Sequence, residues 1–217
     1  LQGRRIISDV NGKYMDQTGA VPVVRQIPLD EQGKPIFNHH NSDSFWGAQW
    51  TIQTLWHLVY PERSSDFCQS LLQYYKDGGL VPRGPSGGNY TYVMTGASST
   101  PFIVSAWMKG IRDFDPEFAF KALRKNHLSG GMMAHAGYEH NSAKWGGVEE
   151  YINRGYVPFP LSIFAPPWIL HKDGAGQTLE YAYQDFSLAQ LAKNLEKEQA
   201  YEKFVDRSRN YRNIYNP

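Results

Sequence analysis

The helical character of this chain is decided by Thr178-Leu-Glu-Tyr-Ala-Tyr-Gln-Asp-Phe-Ser-Leu-Ala-Gln-Leu-Ala-Lys-Asn-Leu195. Its later apolar residues fall at positions i, i+3, i+4 and i+7, one stripe of an α-helix: Leu188, Leu191, Ala192 and Leu195. The same spacing returns after a short polar join, at Tyr201, Phe204, Val205, Ser208, Tyr211 and Tyr215. The sequence therefore predicts an antiparallel pair of helices over Thr178–Leu195 and Gln199–Tyr215.

Two carboxylates, Glu180 and Asp185, stand near the start of the first of these helices. Paired carboxylates are the groups that glycosidases use as general acid and base, and inverting enzymes hold them about 6.5–9.5 Å apart across a sugar. Residues five apart on one helix do not face each other in that way. We therefore favour the interpretation that both carboxylates bond the backbone or neighbouring helices.

Four further helices are predicted upstream, over Ser44–Tyr60, Ser64–Asp77, Thr100–Arg112 and Pro116–Asn126. Ser42 or Ser44 is a suitable N-cap for the first helix, which we expect Pro61 to end. Asp115 followed by Pro116 is a strong start signal for the last.

The remaining segments lack helical periodicity. Residues 80–97 and 129–176 are rich in Gly and Pro, and we expect them to be irregular. Near the N-terminus, Ile6-Ile-Ser-Asp-Val10 predicts a short strand, Asn11-Gly12 a turn, and Lys13-Tyr14 a return. Leu80-Val-Pro-Arg-Gly84 looks like a protease-tag remnant, but we treat it as native because it lies mid-chain between regular hairpins.

Six helices in three consecutive hairpins are typical of half of an (α/α)6 toroid. We therefore predict an all-α protein in the main, with residues 1–41 as an irregular or β-hairpin lead-in and residues 42–217 as an incomplete helical toroid. An α-solenoid of three helix pairs is the alternative, although the pairs share no 34- or 40-residue repeat. Because the chain lacks an initial Met and stops directly after a helix, we interpret it as a piece of a longer protein.

Composition excludes several classes of function. Lys and Arg total 22 against 21 Asp and Glu, so the formal charge of +1 provides no basic field for nucleic acid. The single cysteine, Cys68, excludes a disulfide framework and a Cys-rich zinc site. His135 and His140 flank Glu139, but their spacing is not that of a zinc helix. No apolar run reaches the roughly 18 residues of a membrane span, and phosphate-loop and serine-nucleophile motifs are missing.

Aromatic residues make up 14% of the chain, and flat rings with a polar edge suit sugar binding as well as core packing. They meet polar residues in Asn38-His-His-Asn-Ser-Asp-Ser-Phe-Trp46, at the mouth of the first helix. Trp46 is a candidate stacking platform, and Asp43 or His40 are candidates for bonding hydroxyls. The alternative is a well-capped helix with a half-buried Trp.

Five motifs, in order and at fitting intervals, resemble the exo-acting α-mannosidases of glycoside hydrolase family 92: Ser8–Tyr14, Lys109–Asp115, Gly155–Pro158, Thr178–Asp185 and Arg207–Asn213. The resemblance implies an N-terminal β-sandwich followed by an (α/α)6 domain, and calcium-dependent, inverting hydrolysis of terminal α-mannosides. It also implies that the general acid, the general base and most Ca²⁺ ligands follow Pro217. This chain would then be the first half of the toroid and inactive alone, with the β-sandwich upstream of it.

Two positions depart from the motifs of that family. Trp46-Gly47-Ala48 stands where the family commonly has Trp-Asp-Thr, so the Trp is kept and a sugar-binding carboxylate is lost. Met94-Thr-Gly-Ala-Ser98 stands where the family has Met-x-Gly-x-His, so a hydroxyl replaces the imidazole. We predict no catalytic residue and no metal ligand in this chain, and substrate binding by Trp46, Asp43, Ser44, His40, Ser98 and Glu180.

The leading hypothesis is part of a bacterial glycoside hydrolase, α-1,2-mannosidase-like, that uses Ca²⁺ and acts on α-mannoside glycans. It would be periplasmic, anchored to the outer membrane or secreted. A non-catalytic glycan-binding relative is the competing hypothesis, because two pocket positions are altered, and a helical scaffold without a sugar site is the third. The downstream sequence would discriminate the first two, and binding to a glycan array would separate them from the scaffold.

Overall fold

A computed structural model describes residues 5–42, 45–136, 146–159, 161 and 174–215. Two strands and seven α-helices lie in these ranges: β1 Lys13–Asp16, β2 Val23–Gln26, α1 Ile52–Val59, α2 Pro61–Gly78, α3 Ser99–Met108, α4 Pro116–Asn126, α5 Val148–Arg154, α6 Gly174–Asn194 and α7 Glu198–Ser208. The expected fold class is confirmed: the protein is helical in the main, with a small antiparallel hairpin near its N-terminus.

The N-terminal hairpin pairs different strands from those predicted. β1 pairs with β2, from Lys13 opposite Gln26 to Asp16 opposite Val23, rather than with residues 6–10. The Asn-Gly turn forms, but it leads into β1, while Ile6 makes an isolated bridge with His40. β1 alternates between exposed and buried residues, as expected for a strand with one face on a core.

Three helix starts differ from the predicted ones by three residues or more. α6 begins at Gly174, four residues before the predicted Thr178. Pro61 opens α2 instead of only ending α1, because its fixed φ and missing N–H suit the first turn of a helix. At the first helix, a 3-10 turn over Gly47–Gln49 comes before α1, and Trp46 rather than Ser42 stands at its N-cap. Thr51, with φ −148°, separates that turn from α1. Ser44 lies outside the described residues.

The middle of the chain holds one success and two errors. α4 has the predicted bounds, and the Asp115 side chain accepts a hydrogen bond from the Glu117 N–H as a cap should. α3 ends four residues early, at Met108, ahead of Gly110 with its φ of +90°. The helix α5 was missed because it is only seven residues long and buries just Val148 and Tyr151.

The core is organised around α6, which contacts α3, α4 and α7. The predicted apolar stripe is confirmed: Leu188, Leu191 and Ala192 are fully buried, and Phe204 from α7 joins them. The stripe on α7 does not continue beyond Ser208, because the chain tightens into a 3-10 helix over Arg209–Ile214 and exposes its tyrosines.

One buried arginine fixes the loop between α2 and α3. Arg83, only 1% exposed, donates hydrogen bonds to the carbonyl oxygens of Gly96 (2.8 Å), Met132 (3.2 Å) and His135. Burial lowers the pKa of Arg83 to about 10, so the guanidinium remains charged at neutral pH. Such a role supports the interpretation of Leu80–Gly84 as a native segment.

Candidate functional site

A pocket of about 310 Å³ opens between the first 3-10 turn and the N-terminal half of α6. We call it the Trp46 pocket; it is lined by Trp46, Trp50, Thr95, Gly176, Gln177, Leu179 and Glu180. It therefore brings together two of the residues that the sequence nominated for substrate binding, Trp46 and Glu180.

Two indoles form one wall of the Trp46 pocket. The rings of Trp46 and Trp50 meet edge to face, with centroids 6.3 Å apart and an interplanar angle of 87°. Trp50 also stacks on Tyr183 of α6, at 5.9 Å and 20°. Trp50 remains 54% exposed although it is a large apolar side chain. An exposed, oriented indole of this kind provides a flat surface for a ring-shaped ligand.

The carboxylate of Glu180 is held by three neutral donors. Its Oε2 accepts a hydrogen bond from Trp46 Nε1 at 2.6 Å. Its Oε1 accepts from Gln49 Nε2 at 2.7 Å and from Gln184 Nε2 at 2.9 Å. Burial raises the pKa of Glu180 above the ordinary range of a glutamate, although these donors and Arg83 oppose the shift. The side chain is 5% exposed.

The orientation of Gln184 is set by the loop before α3. Its Oε1 accepts a hydrogen bond from the Ala97 N–H at 2.6 Å, which turns Nε2 toward Glu180 Oε1 and Gln49 Oε1. Gly96, with φ +79°, makes this approach possible, since a Cβ there would lie 2.6 Å from Gln184 Oε1. The loop thus helps to position the carboxylate.

This arrangement leaves Glu180 able to accept one more hydrogen bond. A carboxylate has about four lone-pair positions, and the three donors named above occupy three of them. The remaining position is on Oε2, beside the Trp46 indole. The pocket can therefore accommodate a ligand that donates one hydroxyl to Glu180 and lays an apolar face against the Trp46 indole.

The other nominated residues lie elsewhere or outside the described residues. Asp43 and Ser44 fall outside them. Ser98 follows Ala97 directly, and its buried hydroxyl has no hydrogen-bond partner among the described residues. His40 lines a different pocket, with its Nε2 3.6 Å from Asp66 Oδ2. The assignment of these four residues to sugar binding stays a prediction.

Asp185 lies in a closed polar cluster instead of a pocket. It is fully buried, and it accepts hydrogen bonds from His127 Nδ1 at 2.7 Å and Tyr151 OH at 3.0 Å. It also forms an ion pair with Arg207, whose Nε lies 2.9 Å from Oδ2. Because the Asp185 carboxylate accepts hydrogen bonds, His127 Nδ1 carries the proton. Nε2 of the neutral ring then accepts a hydrogen bond from Thr100 Oγ1 at 2.8 Å. Burial lowers the pKa of His127 despite the adjacent carboxylate. The cluster joins five helices.

The interpretation that Glu180 and Asp185 bond neighbouring elements is confirmed by these contacts. Gln49, Trp50 and Gln184 were not predicted as site residues from the sequence. Helical spacing was the available signal, since Trp50 follows Trp46 by four residues and Gln184 follows Glu180 by four.

The described residues do not fit a calcium ion. Within them, no group of three His, Cys, Asp or Glu side chains is placed to hold a metal. Glu180 is surrounded by N–H donors, whereas Ca²⁺ takes six to eight oxygen ligands. His135 stacks on Tyr92, with ring centroids 4.4 Å apart, and Glu139 and His140 lie outside the described residues.

The chain is similar to known glycoside hydrolases. The family model for the glycosyl hydrolase family 92 catalytic domain matches residues 1–217. A family GH92 α-mannosidase from Bacteroides thetaiotaomicron, solved with mannoimidazole, is 25% identical with a TM-score of 0.77, over 100% of this chain and 24% of its own. A family GH92 inverting mannosidase from the same organism is 28% identical with a TM-score of 0.74, over 99% of this chain and 25% of its own.

The chain is also similar to a secreted glycosidase from an organism other than Bacteroides. An uncharacterized secreted glycosidase of Arthroderma benhamiae is 27% identical over 167 residues, which are 74% of this chain and 20% of the relative. The chain thus spans no more than about a quarter of the length of the relatives it matches. None of the described helices combines the length and apolar character of a membrane span.

Proposed function

This chain belongs to the glycosyl hydrolase family 92 catalytic domain, and we propose that it forms the sugar-holding part of an enzyme that hydrolyses terminal α-mannosides. The observation that carries the proposal is the Trp46 pocket, where an indole surface adjoins a carboxylate with one unused acceptor position. A hexose presents an apolar C–H face and projecting hydroxyls, and it matches both features.

In this proposal Trp46 and Trp50 contact the ring of the sugar, and Glu180 accepts one hydroxyl. Gln49 and Gln184 keep the carboxylate in place. Ser98 is a candidate only by family resemblance, because its hydroxyl is fully buried and it does not line the pocket. The general acid and general base of an inverting reaction are expected outside this chain. The family resemblance implies a Ca²⁺ ion whose ligands for the most part follow Pro217, and the described residues hold no group of three His, Cys, Asp or Glu side chains placed for a metal.

We further propose that residues 42–217 are half of a helical toroid whose other half covers α1 and α6. Both helices expose large apolar side chains on the surface: Ile52, Leu55, Leu58 and Val59 on α1, and Leu179 and Phe186 on α6. On α1 these residues share one helix face, and contiguous apolar exposure of this kind marks a surface that another part of a protein contacts. An α-1,2 linkage preference and a secreted or periplasmic location complete the proposal, the latter supported by the secreted relative.

The full-length protein tests the reaction directly. We expect it to release mannose from an α-1,2-linked mannobiose, and proton NMR at early times should show the β-anomer of mannose first, as inversion requires. A chelator should stop the release and added Ca²⁺ should restore it. If the protein binds the disaccharide without releasing mannose, the non-catalytic glycan-binding alternative is correct.

Residues 1–217 alone provide a second test. We expect no mannose release from this piece, because the acid and base are expected elsewhere. Robust calcium-dependent release by residues 1–217 would show that the chemistry lies within this chain and would return Glu180 and Asp185 to consideration as catalytic residues.

A further inference from the structure

A larger pocket, of about 730 Å³, lies where the N-terminal segment meets the junction of α1 and α2. We call it the Arg63 pocket; it is lined by Arg5, Ile6, His40, Trp56, Tyr60, Arg63 and Phe67. It shares no lining residue with the Trp46 pocket. Its volume lies within the range of about 300–1,000 Å³ that is usual for small-molecule sites.

The walls of the Arg63 pocket are apolar and aromatic. Trp56 and Phe67 are 8% and 6% exposed, and their rings lie 6.0 Å apart at an interplanar angle of 36°. Tyr60, between α1 and α2, is 54% exposed and forms part of the rim. Such walls favour a ligand with a flat or cyclic body.

The two arginines of this pocket are incompletely paired. Arg63 is 57% exposed, and its one ion pair within the described residues is a long one, at 3.8 Å from Asp66 Oδ2. Arg5 has no ion pair among the described residues. His40 is 6% exposed, and both of its ring nitrogens lack a hydrogen-bond partner within the described part of the chain. Two guanidinium groups against one carboxylate leave one positive charge, which a single negative charge would balance.

We propose that the Arg63 pocket binds a small cyclic carboxylate, with the ring against Trp56 and Tyr60 and the carboxylate on Arg63 and Arg5. Arginine forms two parallel hydrogen bonds with a carboxylate, so the contact has a defined geometry as well as charge attraction. A sugar acid and an aromatic acid share this chemistry, and the experiment distinguishes them.

The test is saturation-transfer NMR on the full-length protein, with D-glucuronate and benzoate as probes and D-glucose and benzamide as their neutral counterparts. We expect at least one carboxylate to bind, its neutral counterpart to bind much more weakly, and the signal to weaken with added salt. Glucuronate alone would identify the ligand as a sugar acid, and benzoate alone as an aromatic acid. If neither acid binds, or if the neutral counterparts bind equally well, the proposal is wrong.

A matched pair of variants locates the binding. Arg63→Gln should weaken the affinity for the carboxylate about fivefold, a loss moderated by solvent at an exposed site. Arg124→Gln, an exposed arginine on α4 that does not line the pocket, should leave it unchanged. Both side chains are exposed, so both variants should fold. An equal loss in the two variants, or no loss in Arg63→Gln, would overturn the assignment.

Discussion

Glu180 and Asp185 lie five residues apart on α6 and have opposite surroundings. At about 100° per residue they point about 140° apart around the helix axis. Glu180 adjoins a pocket and is bonded only by neutral donors, whereas Asp185 is fully enclosed with a guanidinium, an imidazole and a phenol. One short motif thus supplies both a pocket-lining carboxylate and a core ion pair.

The comparison shows that the identity of neighbouring groups does not by itself define an active site. Thr100, His127 and Asp185 follow one another at hydrogen-bond distances in the order hydroxyl, imidazole, carboxylate, as in a hydrolase triad. All three are fully buried, so no substrate reaches them. Glu180 has less suggestive partners, but it lines an open pocket.

The largest expected effect is on stability, at the buried carboxylate. Asp185→Asn in the full-length protein should reduce the free energy of unfolding by about 3–5 kcal/mol, because it leaves the Arg207 guanidinium buried without its counterion. Chemical denaturation followed by circular dichroism measures the loss.

The control for this change is Asp206→Asn on α7. Asp206 is 84% exposed and 3.9 Å from Arg209, so its loss should be below about 0.5 kcal/mol. A loss below about 1 kcal/mol for Asp185→Asn would mean that the cluster can rearrange, and the contrast with Glu180 would disappear.

The second effect is on activity, at the pocket. Trp46→Ala in the full-length enzyme should lower kcat/KM for an α-mannoside about thirtyfold, since truncating an aromatic anchor typically costs about 2 kcal/mol. Trp107→Ala is the matched control, because the Trp107 indole N–H also bonds a side-chain oxygen, that of Asn194 at 2.6 Å, outside the pocket. Unchanged kinetics with a melting temperature lowered by several degrees would make Trp46 a core residue only.

The smallest effect concerns the pH dependence of stability. Because burial raises the pKa of Glu180 in the folded state, the unfolded chain loses this proton first as pH rises. The contribution of Glu180 to stability therefore falls as pH rises from about 4.3, the ordinary pKa of a glutamate, through its raised pKa. The slope for one proton is at most about 1.4 kcal/mol per pH unit.

Glu180→Gln removes this titration, so the stability of the wild type relative to the variant should decline with rising pH over that window. Denaturation at a series of pH values measures the difference, and Glu202→Gln, at an exposed carboxylate on α7, should follow the wild type. A difference that rises with pH would mean that the donors around Glu180 outweigh its burial.

The sequence predicted those parts of the molecule that depend on local spacing. The apolar stripe that ends at Leu195 predicted α6, and the Asp115 cap predicted α4. Each of these signals consists of residues that are close together in the sequence. The contact of Trp46 with Glu180 spans 134 residues, and no local signal encodes it. Trp46 and Glu180 were nevertheless nominated, by composition and by family resemblance. His40 was nominated with them, yet the strand bridge to Ile6 carries it to another pocket.

Arg83 has a consequence for how this domain can be diversified. The guanidinium recognises three main-chain carbonyl oxygens, in segments around Gly96 and His135, and so its contacts do not depend on which side chains those segments carry. The side chains of these loops can therefore change without loss of the hydrogen bonds from Arg83. A residue that lines the Trp46 pocket, such as Thr95, can be substituted, in a natural lineage or in a mutant library, while the main-chain contacts of Arg83 hold the loop in place.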